Sequence, residues 1–574
     1  TMWNSLLKLN LIGFMNTPII KARKGKHQKL FYNDAEYEKW KDTNAIGWTI
    51  KYYKGLGTST SKEFKEYFQH KKFVMFSYDE TASDIIDMVF NKKRADDRKK
   101  WLGKFDRDDC LDTNKQNITF KEFVDQELMK FSKYDCDRSI PNLMDGQKIS
   151  QRKILYAAFK KNLNKEIKVA QFSGYVSENS GYHHGEASLN GAIVGMAQDY
   201  VGSNNINLLM PNGQFGTRIS GGKDSASERY IFTQLNSITK VLFNALDNNI
   251  LTYLDDDGFP IEPIYYAPII PMILVNGTKG IGTGFSTDIM CYNPKDLIHY
   301  LKQLLAGIAN PDMKLYPYYK GFTGKIIENA AKKYILKGVY EFSKKDTIII
   351  TELPVGTWTD EYKGFLEKEI ESPKKIVKEY VDMSTDKKIC FTVKFHPNML
   401  DKLTTTKIDD NVNGLEKHMK LVSSHSTSNM YLFDADDTLK KYECVEDIVK
   451  DYYAKRVTMY RERIIYIINL LQKEMTLLSN KASYITENLE GTIDLRRKKK
   501  QEIVDMLIDK KYDMIDDDVD FKYLTKMPMD CVSEENVTKL MKQKDEKEKE
   551  LTKYKKIKPT DLWLSELLEL EKLL

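Results

Sequence analysis

The sequence predicts a multidomain chain of mixed α/β and α+β structure ending in a long antiparallel coiled coil, and three observations carry that expectation. At 574 residues, with 41% hydrophobic and 30% charged residues, the chain is too long for one ordinary domain and apolar enough to bury several cores. Short apolar runs alternate with amphipathic stretches over much of its length. From Val445 to Glu490 no Gly or Pro interrupts the chain, which reads as one continuous helix.

Near the N-terminus the apolar segments Leu11 to Phe14, Pro18 to Ile20 and Gly47 to Tyr53 predict strands of an α/β region. The chain opens on Thr1 rather than Met, and the expectation is a start inside a domain. Lys92 to Asp109 is mostly charged and reads as a linker or solvated helix. Beyond about residue 260 a second mixed region is expected, with strands at Thr347 to Thr351 and Lys388 to Phe395. In the Gly- and Pro-free run Ile448, Tyr452, Tyr460, Ile464, Ile467 and Leu471 supply an apolar face. Its 46 residues make a helix of roughly 70 Å, which needs a partner. Glu534 to Ile557, ended by Pro559, supplies one, with a small domain at the tip. No repeat of solenoid length is visible.

Lys and Arg number 89 against 83 Asp and Glu, a net charge of +6, which excludes a polyelectrolyte. The six cysteines, Cys110, Cys136, Cys291, Cys390, Cys444 and Cys531, form no CxxC or Cys/His cluster, which argues against a disulfide framework or zinc ribbon. The longest apolar stretches, such as Ile464 to Leu471, fall well short of the roughly 20 residues that span a bilayer. A soluble intracellular protein with no membrane partner is the expectation.

Charge concentrates between Arg138 and Phe172, where Arg138, Lys148, Arg152, Lys153, Lys160, Lys161, Lys165 and Lys168 face only Asp145 and Glu166. In Gln151 to Phe159 the apolar Ile154, Leu155, Ala158 and Phe159 recur at helical spacing, which places Arg152 and Lys153 on or near the opposite side. Such a helix suits phosphate-backbone binding, and a solubilising face is the competing reading. The His183-His184 pair has no third ligand at metal spacing. The glycines at 277, 280, 282 and 284 lack the strand-to-helix context of a nucleotide loop, and read as a tight turn around an exposed Ile281. By composition alone Tyr230, one of 34 tyrosines, is a packing residue.

Together and in this order, Lys51-Tyr-Tyr-Lys-Gly-Leu-Gly-Thr58, Arg138 to Gly146, Gln151-Arg-Lys153, Tyr175 to Glu178, His183-His-Gly185, Gly202 to Asn205, Pro211 to Arg218, Gly221 to Asp224, Arg229-Tyr230 and Asn276 to Gly284 resemble the breakage-reunion core of eukaryotic-type type IIA DNA topoisomerases. The resemblance implies a partial Toprim domain and linker (1–115), a winged-helix DNA-binding domain with the catalytic Tyr (116–255), a tower (256–438), and a coiled coil with a terminal dimer gate (439–574). It implies Tyr230 as the nucleophile that forms a 5′-phosphotyrosyl link, Arg229 as its electrostatic partner, and His184 at the scissile phosphate with His183 in support. Arg138, Lys148, Arg152 and Lys153 would hold DNA, and Ile281 would be the wedge that unstacks a base step. Double-stranded DNA and a second copy of the chain are the implied partners.

The family's magnesium ligands lie in acidic motifs that precede the Lys-Gly-Leu-Gly stretch, and this sequence starts after both. No metal ligand is therefore expected here, with Mg2+ held by the missing Toprim residues and ATP bound only in the full-length enzyme. Asp255, Asp256 and Asp257 read as a solvated turn. Glu228 stands where the family carries a small, neutral or Pro residue, so a carboxylate opposing Arg229 or binding water is expected. Arg496 to Lys500 reads as a solvated face of the coiled-coil tip. The Asn-, Lys- and Tyr-rich composition suggests a large DNA virus, hence the host cytoplasm, or otherwise the nucleus. A DNA-bending architectural or tethering protein that never cuts is the rival reading, and Arg229-Tyr230 is what separates the two.

Overall fold

The computed structural model describes residues 4–44, 47–53, 56–106, 109–256, 259–496, 498–515 and 518–574; Thr1 lies outside them. Near the N-terminus, strand Ile20–Lys24 pairs antiparallel with His27–Phe31 and with Thr49–Tyr52, burying Ile20, Ala22 and Phe31 against Tyr37. A second sheet sets Lys72–Ser77 between Gly13–Asn16 and Asn117–Thr119. The expected strands at 11–14 and 18–20 are thus displaced by about two residues along the chain. His27–Phe31 gives no strand signal in the sequence because its first three side chains are polar and exposed.

Of the two readings of Lys92 to Asp109, a linker or a solvated helix, the described residues show a helix that is only partly solvated. The run contains helix Ala95–Leu102, whose Trp101 and Leu102 are buried with Met88 and Met129. Trp101 Nε1 donates to Asp125 at 2.9 Å, and Arg98 donates to the carbonyls of Met88 (2.8 Å) and Asn91 (2.7 Å). Charge density conceals that apolar face; residues 107 and 108 of the run lie outside the described residues.

Four helices, α1 (Met129–Ser139), α2 (Ile149–Lys160), α3 (Val169–Ser180) and α4 (Glu186–Ala197), form the central unit, with Leu155, Ala158, Phe172, Val176 and Ile193 in its core. The short pair Ile167–Lys168 and Phe232–Thr233 and the hairpin Tyr253–Asp256/Phe259–Pro263 flank them. Asp255 and Asp256 therefore lie on a strand rather than in a turn, and Asp257 is outside the described residues. A second α/β unit has an antiparallel sheet ordered Val339–Lys344, Thr347–Glu352, Phe391–Phe395, Val377–Asp382, covered by helix Thr359–Glu371.

Helix α5 (Val445–Leu489) runs 45 residues and packs against α6 (Glu534–Lys556), with Ile467 and Leu471 meeting Leu551. The tip between them encloses Ile493, Leu507, Phe521 and Leu524. Helix α7 (Pro559–Leu573) returns to the base, where Trp563 stacks on Tyr453 and Tyr460 at 5.5 and 5.3 Å between centroids. There Asp247 accepts from Arg456 (2.7 Å) and Arg463 (3.4 Å), and Glu566 accepts from Arg463 and Tyr460 at 2.5 Å each. No described helix is long and apolar enough to cross a membrane.

Both arginines of this cluster are 0% exposed, so removing an acidic partner strands buried charge. Asp247→Ala should lower stability by about 3–5 kcal/mol in urea denaturation, the usual cost of breaking a buried pair. A loss below about 1 kcal/mol, the range of exposed pairs, would show that water reaches the cluster.

Candidate active site

Tyr230 is 76% exposed, and Arg229 beside it also faces solvent. An exposed side chain gains little from its own packing, so backbone must hold it. The first two N–H groups of α3, which lack intrahelical acceptors, donate to the loop on either side of Tyr230: Val169 to Ile231 O at 3.0 Å and Ala170 to Glu228 O at 3.1 Å. Ile231 is buried, and Phe232 exchanges backbone hydrogen bonds with Asn212. Upstream, Thr217 donates through its N–H (2.9 Å) and hydroxyl (2.6 Å) to Asp224. Gly216 has φ +96°, and a Cβ there would lie 2.6 Å from Gly222, so the loop closes only on glycine. The Glu228 carboxylate accepts from Ser227 Oγ (3.4 Å) rather than pairing with Arg229.

Helix α3 ends on Gly181 in the left-handed conformation, and Tyr182 to Gly185 leads directly into α4. His184 Nε2 is 2.9 Å from Tyr134 Oη, and Tyr182 meets its ring edge-on at 5.4 Å. Arg138, one turn beyond Tyr134 on α1, lies over the Tyr134 ring at 5.6 Å. Burial, then the charges of Arg138 and Lys153, hold the His184 imidazole below its ordinary value, which favours the neutral ring at neutral pH. His183 Nε2 sits 3.7 Å from Asp256 Oδ2. Tyr134, Arg138, His184 and Asp256 border a groove of about 300 Å³. Across the first turn of α4 a second groove, of about 490 Å³, is bordered by Glu186, Asn190, Glu228 and Arg229. The positive end of α4 therefore separates the His184 side from the Arg229 side.

Two expected DNA contacts need correction. Arg152 is 6% exposed and Lys153 9%, and both are spent inside the protein. Arg152 forks onto Asp145 (2.6 and 3.1 Å) and Gln147 O (2.9 Å), while Lys153 bonds Glu262 (2.8 Å) and Ser180 O (2.5 Å). Helix α2 is packed on several sides, so its polar stripe meets other elements instead of water. Lys148 donates to Lys279 O at 2.8 Å, and burial lowers the pKa of its ammonium. Arg138 remains exposed. Sequence reasoning does not single out Tyr134; its signal is the four-residue spacing to Arg138 on one helix face.

Lys148 thereby braces the hairpin Thr278–Gly282/Phe285–Ile289. Ile281 lies on the first strand, not in the turn, opposite Ser286, and is 84% exposed. A Cβ on Gly280 would lie 2.0 Å from Ser139 O, so glycine lets the hairpin rest on α1. Thr283 Oγ1 donates to Asp135 of α1 at 2.9 Å. One helix thus orients both His184 and the exposed isoleucine.

Of the remaining motifs, Lys51 bonds Glu63 at 2.9 and 3.1 Å, and Tyr53 Oη bonds it at 2.6 Å. Lys54 and Gly55 lie outside the described residues. At the tip, Arg496 pairs with Asp494 (2.9 Å) and Lys500 with Asp520 (2.7 Å), while Arg497 is outside the described residues.

Residues 138–568 match the DNA gyrase/topoisomerase IV A-subunit family model, and residues 15–136 match the model for the C-terminal associated domain of TOPRIM. The chain is 42% identical to DNA topoisomerase 2 of Plasmodium falciparum (isolate K1 / Thailand), covering 99% of this chain and 43% of that protein. It is 41% identical to DNA topoisomerase 2 of Arabidopsis thaliana (99% and 42%) and 38% identical to DNA topoisomerase 2-beta of Homo sapiens (98% and 37%). The chain thus spans about two-fifths of the length of these relatives. The crystal structure of the Plasmodium falciparum topoisomerase II DNA-binding, cleavage and re-ligation domain aligns with a TM-score of 0.84 at 42% identity, over 99% of this chain and 81% of that one. These relatives are cellular and lend the viral source read from composition no support.

Removing the cation at Arg138 should raise the His184 pKa toward the ordinary 6.5. The check is an NMR titration of the imidazole in Arg138→Ala against the parent. A midpoint that stays put or falls would remove Arg138 as a cause.

Proposed function

The chain belongs to the type IIA DNA topoisomerases, the family of DNA gyrase and topoisomerase IV, and from that premise we propose that it is the DNA-binding, cleavage and religation core of such an enzyme. The observation that carries the reading is Tyr230: exposed, next to an exposed arginine, on a loop whose backbone is tied at both sides.

In the proposed reaction the Tyr230 oxygen attacks the phosphorus of a DNA phosphodiester. The P–O3′ bond breaks, the tyrosine proton is lost, and the departing 3′ oxygen takes up a proton. One phosphodiester becomes one 5′-phosphotyrosyl ester and one free 3′ hydroxyl, so the reverse attack reseals the strand without an external energy source. Arg229 offsets charge on the five-coordinate phosphorus, and His184, oriented by Tyr134, donates a hydrogen bond to a phosphate oxygen. Arg138 neutralises a neighbouring phosphate, and Ile281 enters the minor groove to unstack a base step. His183, whose Nε2 lies 3.7 Å from Asp256, supports His184 at the phosphate in this scheme.

Among the described residues no three His, Cys, Asp or Glu side chains group closely enough to hold a metal ion. No step above runs through a metal. In the whole protein we place this core in a homodimer whose two tyrosines cut opposite strands with a stagger, with ATP-dependent passage of a second duplex giving relaxation and decatenation. We further propose that residues 1–115 continue a Toprim domain, 116–255 form the winged-helix domain, 256–438 the tower, and 439–574 the coiled coil with its dimer gate.

Incubated with magnesium and a 3′-labelled duplex, then denatured, the intact protein should carry label covalently. Tyr230→Phe should abolish the adduct and leave the DNA Kd within about threefold, because the lost hydroxyl contributes little to phosphate-driven affinity. Binding without any Tyr230-dependent adduct would favour the DNA-bending, non-cutting reading. In the same protein Ile281→Ala should reduce the bend seen by fluorescence transfer between duplex ends while the salt slope of binding stays unchanged. An unchanged bend would remove Ile281 as the wedge.

A further inference from the structure

The loop that leads to Tyr230 is fastened from the second α/β unit. Where strand Thr347–Glu352 gives way to helix Thr359–Glu371, the intervening segment lies along residues 218–221. The Arg218 guanidinium donates to Glu352 at 2.5 Å in a buried pair. The backbone N–H groups of Thr359 and Asp360 donate to the carbonyls of Arg218 (3.5 Å) and Ile219 (3.0 Å), and Ser220 Oγ donates to the Asp360 carboxylate at 2.6 Å. The Trp358 indole closes the contact. A Cβ on Gly221, which has φ +63°, would lie 2.4 Å from the indole Nε1 and Cε2. Tyr200 meets the same ring edge-on at 5.8 Å. Beyond this contact Gly222 N bonds Thr217 O (2.9 Å) and Ala226 N bonds Gln214 O (2.9 Å), which carries the fixed geometry to within four residues of the tyrosine.

We propose that Trp358 is a positioning residue for strand cleavage: stacked under Gly221, it latches the nucleophile's loop to the second α/β unit and so sets where the Tyr230 hydroxyl points. The inference rests on the reading of Tyr230 as nucleophile. Trp358 touches neither DNA nor the reacting atoms in this scheme, so its loss acts on the rate of strand transfer and not on affinity. Rate is the sensitive quantity, since misplacing reacting groups by about 1 Å costs on the order of a hundredfold.

The test compares, in the intact protein with magnesium, the single-turnover rate of covalent capture at saturating DNA and the DNA Kd. Trp358→Ala should slow capture at least about tenfold with Kd within about threefold, and Trp358→Phe should restore most of the rate. Gly221→Ala should slow capture at least as much as Trp358→Ala, because its Cβ meets both the indole and a backbone at φ +63°, and adding Trp358→Ala to it should cost less than Trp358→Ala costs alone. Ser220→Ala, which removes one hydrogen bond and leaves the ring contact, should slow capture by about threefold and keeps the test decisive if Trp358→Ala does not fold. Unchanged capture rates, a Kd that weakens in step with the rate, or independent, multiplying effects at 221 and 358 would each overturn the latch. If the parent forms adduct and these variants match it, the latch alone falls. If the parent forms no Tyr230-dependent adduct, the cleavage reading falls and takes the latch with it.

Discussion

A nucleophile that must meet a duplex from solution cannot be buried, and a side chain that is not buried cannot be oriented by packing. On the proposed function that constraint governs the central unit. Tyr230 owes its place to the backbone on either side of it, tied to the otherwise unsatisfied N–H groups at the start of α3. The same solution appears at Ile281, whose strand is fixed by a lysine bonded to a carbonyl and by a glycine lying against α1. In both places the exposed side chain is free while its peptide is not.

The basic charge divides along the same line. Arg152 and Lys153 neutralise Asp145 and Glu262 inside the unit, where an unpaired partner would be costly, and so shape the floor of the site rather than its surface. Arg138 and Arg229 keep their charge outside, on the two sides of the α4 N-terminus. Because Arg152 is cancelled by Asp145 within the segment, only Lys153, taken up by Glu262, is withdrawn from its net charge, and Lys160, Lys161, Lys165 and Lys168 stay exposed.

Elements with one strong local pattern are legible in the amino-acid order. The coiled coil can be read to within a residue at each end because nothing in it breaks a helix and its apolar face repeats over many turns. Short strands are legible only approximately, since a run such as His27–Phe31 carries its register in pairing partners distant in sequence. Helical periodicity fails at Arg152 because it reports which side of a helix differs, not whether the polar side meets water. The order of motifs points to Tyr230, Arg229 and His184. The His184–Tyr134 and Arg218–Glu352 contacts join residues 50 and 134 positions apart, and no local pattern signals such pairs.

The paired helices α5 and α6 are not uniformly stiff. At their base Trp563, the two buried arginines and their carboxylates form a dry clamp, and at the far end the tip has its own core. Between them, from Gln472 to Lys481, the residues of α5 are at most partly buried: Met475 packs against the Ile467, Leu471 and Leu551 cluster, and Lys547 pairs with Glu474 at 2.8 Å. Such pairs are each worth about 0–1 kcal/mol and weaken with salt. The arm is therefore about 68 Å long, with buried cores at its root and head and a more lightly buried shaft between them. Salt therefore screens the ion pairs of that shaft more than the buried pairs of the root that anchors it.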